Sequence, residues 1–186
     1  MPPPDPIVAV LAVRRKEDPK CLTHTFRHLH QASCYWLEGL SWVGERWGDP
    51  LPALLPAREG ESRAQTLART LEPLLGRLTG ERDGQTVRVT RRHVGDMVIW
   101  FGDRTIDWER PVVVEVDGQT VFTGRVTRDA GVALARAAAT VDFDALQFAG
   151  LRVDAGGHVS VLTSATMPEP VWRTGLRDSP GRPRRP

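Results

Sequence analysis

The sequence predicts a mainly β fold of the α+β kind, a small antiparallel β-sandwich-like domain with one or two packed helices. Three observations carry that expectation. Several runs alternate apolar and polar residues with the two-residue period of a half-buried strand. The phrase DGQTV stands twice, at Asp83 to Val87 and at Asp117 to Val121, each time between two such runs. Asp-Gly between alternating segments favours a tight hairpin, because type I′ turns need positive φ at both central residues. Helical spacing is confined to two stretches, ESRAQTLARTLEPLLGRL at 61–78 and RDAGVALARAAA at 128–139.

A chain of 186 residues suits one domain with a real core. The organisation expected is a poorly ordered segment at 1–22, a β-rich domain at 23–166 and a disordered, Pro- and Arg-rich tail at 167–186. The 25 basic residues nearly balance the 23 acidic ones, so no global field calls for nucleic acid or an acidic membrane. Only Lys16 and Lys20 are lysines, and that arginine bias fits a GC-rich genome. Cys21 and Cys34 do not make a disulfide framework. The short apolar run Ile7 to Val13 precedes its charges, so it is neither a secretory signal nor a membrane span. As written, the chain is expected in the cytoplasm; a gene product extending upstream of Met1 would be exported.

The first core strand is expected in SCYWLEGLSWV. Strand alternation there places Trp36, Glu38, Leu40 and Trp42 on one face and Tyr35, Leu37, Ser41 and Val43 on the other. A loop punctuated by Gly and Pro follows at 44–60. In the first helix Ala64, Leu67, Ala68, Leu71, Leu74, Leu75 and Leu78 make one apolar stripe, which Pro73 kinks or ends near Leu71. In the first hairpin Leu78 is set against Val89, with Val87 on the same face. In the second, a two-residue loop at Asp117-Gly118 pairs Val116 with Gln119 and Val114 with Val121, and Val113 faces Phe122. Between the hairpins, GDMVIWFGD sets Met97, Ile99 and Phe101 against Val98 and Trp100. Asp129 caps the second helix, and DALQFAGLRVD and GHVSVLTSA close the fold as strands.

One stretch invites a chemical reading. Cys21, His24, His28, His30 and Cys34 supply enough ligands for zinc. The C-x2-C half of a finger is missing, however, and so is an H-E-x-x-H. A polar connector into the Tyr35 strand is the preferred reading, and the metal site is retained as an alternative. His93 and His158 are expected at strand edges or turns, on the surface. Among the tryptophans, Trp36 and Trp42 read as core and Trp108 as a plug at the end of the sandwich. Trp100 is the candidate for an exposed aromatic that binds a ligand. The arginine tail (Arg173, Arg177, Arg182, Arg184 and Arg185) lacks a helix or stacking residues for nucleic acid.

The order of these motifs resembles the β-rich C-terminal segment of bacterial, planctomycete-type α/β-hydrolase proteins of the esterase and prolyl-oligopeptidase-like kind. Tyr35, Trp36, Leu37 and Glu38 match the leading strand of that segment. The hairpin is matched by Ile106, Asp107, Pro111, Val112, Val114, Val116, Gly118, Val121, Phe122, Gly124 and Val126. Trp108 replaces a leucine, and Asp117 stands where asparagine is usual. The resemblance covers about two-thirds of the chain. It implies a non-catalytic accessory domain whose partner is a hydrolase catalytic domain, with no cofactor and no catalytic residue of its own. The sequence holds no G-x-S-x-G nucleophile elbow, so the chain is expected to be a gene fragment or a domain standing alone. Two alternatives stay open, a carbohydrate- or peptide-binding β module using Trp100 and a small zinc protein using the Cys21–Cys34 cluster.

Overall fold

The computed structural model describes residues 19–44, 52–140 and 146–167. The strands are β1 (Cys21–Phe26), β2 (Ser33–Cys34), β3 (Leu37–Gly39), β4 (Gly76–Asp83), β5 (Thr86–Arg92), β6 (Met97–Gly102), β7 (Val112–Val116), β8 (Gln119–Gly124), β9 (Gln147–Val153) and β10 (Val159–Val161). Helix α1 is Arg63–Leu71 and helix α2 is Ala130–Thr140. One sheet runs β1-β4-β5-β7-β8 and the other β10-β9-β6-β3-β2. The expected small β sandwich with packed helices is therefore present. Every named strand pair is antiparallel but one: β5 and β7 are parallel, because the chain visits the other sheet as β6 before returning.

The main core lies between the sheets. Leu78, Val87, Val89, Val112, Val114 and Val116 enter it from the first sheet, and Leu37, Met97, Ile99, Phe101 and Leu151 from the second. A second cluster forms on the outer face of the second sheet, where Val98 and Trp100 meet Val132 of α2 and Leu162. Strand β6 is thus buried on both faces, and the domain has three layers. Asp129 caps α2 as expected, its Oδ1 accepting the Gly131 and Val132 N–H groups at 2.7 and 3.2 Å.

The expected single strand through Tyr35 is instead a tight β2–β3 hairpin. Tyr35 adopts φ of 53°, so strand alternation breaks there. Trp36 and Leu37 both enter the main core, while Glu38 reaches the second cluster. The ordered fold also begins earlier than residue 23, since β1 starts at Cys21. Apart from Pro19 to Leu22 and Met167, the two terminal segments lie outside the described residues.

The two DGQTV copies fold into different turns. In the second, Asp117 (φ 51°) and Gly118 (φ 81°) are the two loop residues, as a type I′ turn requires. In the first, Asp83 pairs with Thr86, so the loop is Gly84-Gln85, with Gly84 alone at positive φ (57°). That is the glycine-first pattern of a type II′ turn. The one-residue shift in frame sets Leu78 opposite Arg91, not Val89. In the second hairpin a bulge between Val114 and Glu115 pairs Val114 with Phe122 and Val113 with Thr123, displacing the expected partners.

Gln85 supplies a reason for the different frame. Its Nε2 donates to the carbonyls of Asp107 and Arg110 at 2.8 and 3.1 Å, and its Oε1 accepts the Asp107 N–H at 2.7 Å. The turn therefore pins the loop that leads into β7. Gln119, the same residue of the other copy, lies exposed in strand β8. Gln85→Ala is expected to cost about 1–2 kcal/mol and Gln119→Ala less than about 0.5 kcal/mol, as urea unfolding midpoints would show.

Helix α1 starts at a capping box, with Ser62 Oγ accepting from Gln65 N–H at 3.3 Å and Gln65 Oε1 accepting from Ser62 N–H at 2.8 Å. It ends at Leu71, and Pro73 falls in a short 3-10 turn, as its position predicted. The buried face is not the leucine stripe. Thr66 and Thr70 are buried, and Thr70 Oγ1 donates to Thr66 O at 2.7 Å and accepts the Leu55 N–H at 3.1 Å. Leu67 is left 40% exposed, and Leu78 belongs to β4.

Ahead of α1, Glu61 receives Arg69 in a bidentate pair, with Nε to Oε1 and Nη2 to Oε2 both at 2.9 Å, and the Arg58 N–H at 2.8 Å. The Arg69 hydrogen bonds, then the Arg58 N–H, hold its carboxyl down to about 2. A depressed folded value means the contribution is fully present above the unfolded carboxylate range, roughly pH 4.3, and is lost as pH falls through about 2. A carboxyl-detected NMR titration is expected to find the Glu61 midpoint near that low value. A midpoint in the ordinary range would show that the clamp does not form.

Candidate functional site

The residues of the proposed metal cluster are divided among three elements. Cys21 and His24 lie on β1, His28 and His30 flank and enter a 3-10 turn at Leu29–Gln31, and Cys34 ends β2. The expected connector is thus partly an edge strand. The His24 ring stacks on Phe26 at 5.6 Å, and its Nε2–H donates to the Gln31 carbonyl. The His28 and His30 rings stack on each other at 5.4 Å. Among the described residues, no group of three or more His, Cys, Asp or Glu stands where it could hold a metal ion.

Trp100 is not an exposed aromatic. It is 1% exposed, because α2 covers the outer face of the sheet on which it lies. Around it is a buried, densely bonded polar cluster. Trp100 Nε1–H donates to Glu38 Oε2 at 3.0 Å, and Arg136 Nη1 donates to the same oxygen at 2.6 Å. The Arg136 guanidinium lies 4.6 Å from the Trp100 ring centroid, and its Nη2 donates to Ser33 Oγ at 3.0 Å. Arg136 Nε donates to Gln147 Oε1 at 3.2 Å, and Gln147 Nε2 donates to the Tyr35 carbonyl at 2.9 Å. Both charged side chains are 9% exposed.

Four elements (β2, β3, β6 and β9) are tied to α2 by this network. Its polar atoms are engaged with one another, which suits it to holding α2 in place. Sequence reasoning placed Glu38 on a strand face but gave neither it nor Arg136 a role in a site. The available signal was a charge set in an otherwise apolar run, YWLEGL in one case and VALARAAA in the other.

A second polar cluster surrounds an open hollow of about 240 Å³ lined by Arg152, Asp154, His158, Val159 and Ser160. Asp154 Oδ1 accepts the His158 N–H at 2.9 Å, and Oδ2 faces His158 Nδ1 at 3.2 Å. The His158 backbone N–H, followed by that of Gly156, lowers the Asp154 carboxyl below its ordinary value. An acid, an imidazole and a serine thus share one rim. The His158 side chain is 87% exposed, whereas nucleophilic catalysis calls for a water-excluded site. These contacts close the β9–β10 turn.

The remaining predicted residues are placed as follows. Trp36 is buried in the main core, and Trp42 packs half-buried against it. His93, expected on the surface, is half-buried at φ of 58°, stacked on Trp42 at 5.6 Å with its Nε2 against the Pro73 carbonyl at 2.6 Å. Trp108, expected as a plug, packs half-buried against the main core. Trp47, Trp172 and the arginine tail lie outside the described residues. Comparison of the chain with protein-family models, with curated proteins and with solved structures gives no match.

Proposed function

We propose that this chain is a non-catalytic accessory domain of the kind found at the C-terminus of bacterial α/β-hydrolase proteins, supporting an esterase- or peptidase-like core. The observation that carries this reading is the inverted packing of α1. Its threonines face inward, while Leu67 and the neighbouring Leu54 and Leu55 stay 40%, 47% and 43% exposed. Leu55 is hydrogen-bonded to α1 through Thr70, so the leucines belong to one region of the surface. Apolar area kept in water gains about 25 cal/mol per Å² when a partner covers it.

The residues behind the resemblance support the same reading, since their work is to build turns and core. Gly118 supplies positive φ, Val112, Val114 and Val116 fill the core, and Gly124 gives room to the Phe122 ring. The experiment is to translate the genomic neighbourhood in all frames and co-express any α/β-hydrolase domain with a G-x-S-x-G elbow found there. A complex that survives gel filtration, and is weakened by Leu54→Ser with Leu67→Ser, is expected. A neighbourhood without such a domain, or a hydrolase indifferent to this chain, would overturn the reading.

A further inference from the structure

Three segments bring together a cation cage that the accessory role does not require. Trp108, from the loop before β7, and Phe148, from β9, stand nearly perpendicular, at 86° with ring centroids 6.5 Å apart. Asp103, from the turn after β6, closes a third side, its Oδ1 accepting the Trp108 Nε1–H at 3.1 Å. The Arg128 guanidinium fills the space between them. Its carbon is 5.2 Å from the Trp108 centroid and 5.7 Å from that of Phe148, and Nη2 donates to Asp103 Oδ1 at 2.6 Å. Two aromatic faces and a carboxylate around one cation are the elements of cation–π recognition.

We propose that this cage is a binding site for the guanidinium group of an arginine on a partner polypeptide, and that Arg128 is its built-in, displaceable occupant. Two observations make Arg128 exchangeable. Its side chain is 53% exposed and its Asp103 partner 50%, so the ion pair is of the weak, screened surface kind. The backbone beside it is held independently, by Asp129 N–H donating to Phe148 O at 2.8 Å and by the Asp129 cap of α2. The side chain can therefore swing out while β8, α2 and the rings stay in place. The class of ligand follows from the occupant the cage is shaped around: the Arg128 guanidinium lies near both rings while giving an N–H to Asp103 Oδ1, a combination a quaternary ammonium lacks. The partner's further contacts must offset the advantage of a tethered competitor.

The test uses the full chain, unmodified and as Arg128→Ala, titrated with N-acetyl-arginine methylamide and separately with tetramethylammonium. The Trp108 indole N–H is followed by NMR. The Arg128→Ala chain is expected to bind the arginine probe at least about tenfold more tightly than the unmodified chain, because the tethered competitor is gone. Unmodified protein should respond at higher probe concentration, and Asp103→Asn should weaken binding in both backgrounds. A folded Arg128→Ala chain whose Trp108 signal does not move would overturn the proposal. So would binding indifferent to Asp103→Asn. An unmodified chain that stays silent while the variant binds would make Arg128 a permanent fixture. Equal affinity for tetramethylammonium would overturn the guanidinium assignment.

Discussion

Arg136→Met is expected to destabilise the domain by about 3–5 kcal/mol, because it leaves the Glu38 carboxylate nine-tenths buried without its cation. Glu38→Leu should cost a similar amount, since the guanidinium would then face Trp100 with no carboxylate beside it. The double variant, Glu38→Leu with Arg136→Met, is expected to recover most of the loss, because both desolvated charges disappear together. Urea unfolding of the four proteins closes the cycle, with the transition slope checked for constancy. Single variants within about 1 kcal/mol of the parent would mean the pair is solvated and α2 is held by its buried apolar residues Val132, Ala133 and Ala137.

The second large effect concerns Trp36 and Gly80. The Trp36 ring lies on the backbone of β4: a Cβ built at Gly80 would stand 2.4 Å from Trp36 Cη2 and 2.8 Å from Leu37 Cδ1. The ring also donates its Nε1–H to the Pro19 carbonyl at 2.9 Å and carries the Arg82 guanidinium at 5.3 Å. Trp36→Ala is expected to cost about 3–5 kcal/mol, chiefly through the cavity, since the Pro19 carbonyl loses the indole N–H but keeps the Arg82 Nη2 donor at 3.2 Å. Gly80→Ala should cost about 1–3 kcal/mol by overpacking. In the Trp36→Ala background Gly80→Ala should cost clearly less, the new methyl entering the space the indole left and only Leu37 Cδ1, 2.8 Å away, still having to shift. Thermal or urea unfolding would measure it; strictly additive losses would mean the two residues do not touch.

Much of the fold was legible because its signals are local. Pro73 ending α1, Asp129 capping α2 and Gly118 closing a type I′ turn depend on residues within a few positions of themselves. The alternation in 97–101 correctly separated Met97, Ile99 and Phe101 from Val98 and Trp100. What it did not say was that both faces are buried, and with that the exposed platform at Trp100 disappeared. Period two sorts side chains onto faces; whether a face meets water depends on an element 30 residues away, here α2. The candidate sites were less legible still. Glu38 and Arg136 are separated by 98 positions and Asp103 and Arg128 by 25, so no spacing within one element could pair them.

By itself, then, the sequence determined the β-rich class, the two helices with their ends at Leu71 and Asp129, and the places of the two DGQTV hairpins, all properties of neighbouring residues and their allowed dihedrals. It determined neither the hairpin registers nor strand β1 nor the β2–β3 hairpin. The tertiary structure decided which face of α1 is buried: Thr66 and Thr70 lie inward, Leu71 is half-buried and Leu67 is left 40% exposed. It also decided which turn each DGQTV adopts. Identical pentapeptides have identical local preferences, so the choice fell to their surroundings: the Asp107–Pro111 loop holds Gln85 in the first, and Arg91 pairs with Asp117 in the second. Those partners lie more than twenty residues away, beyond any local rule but within reach of a folded chain.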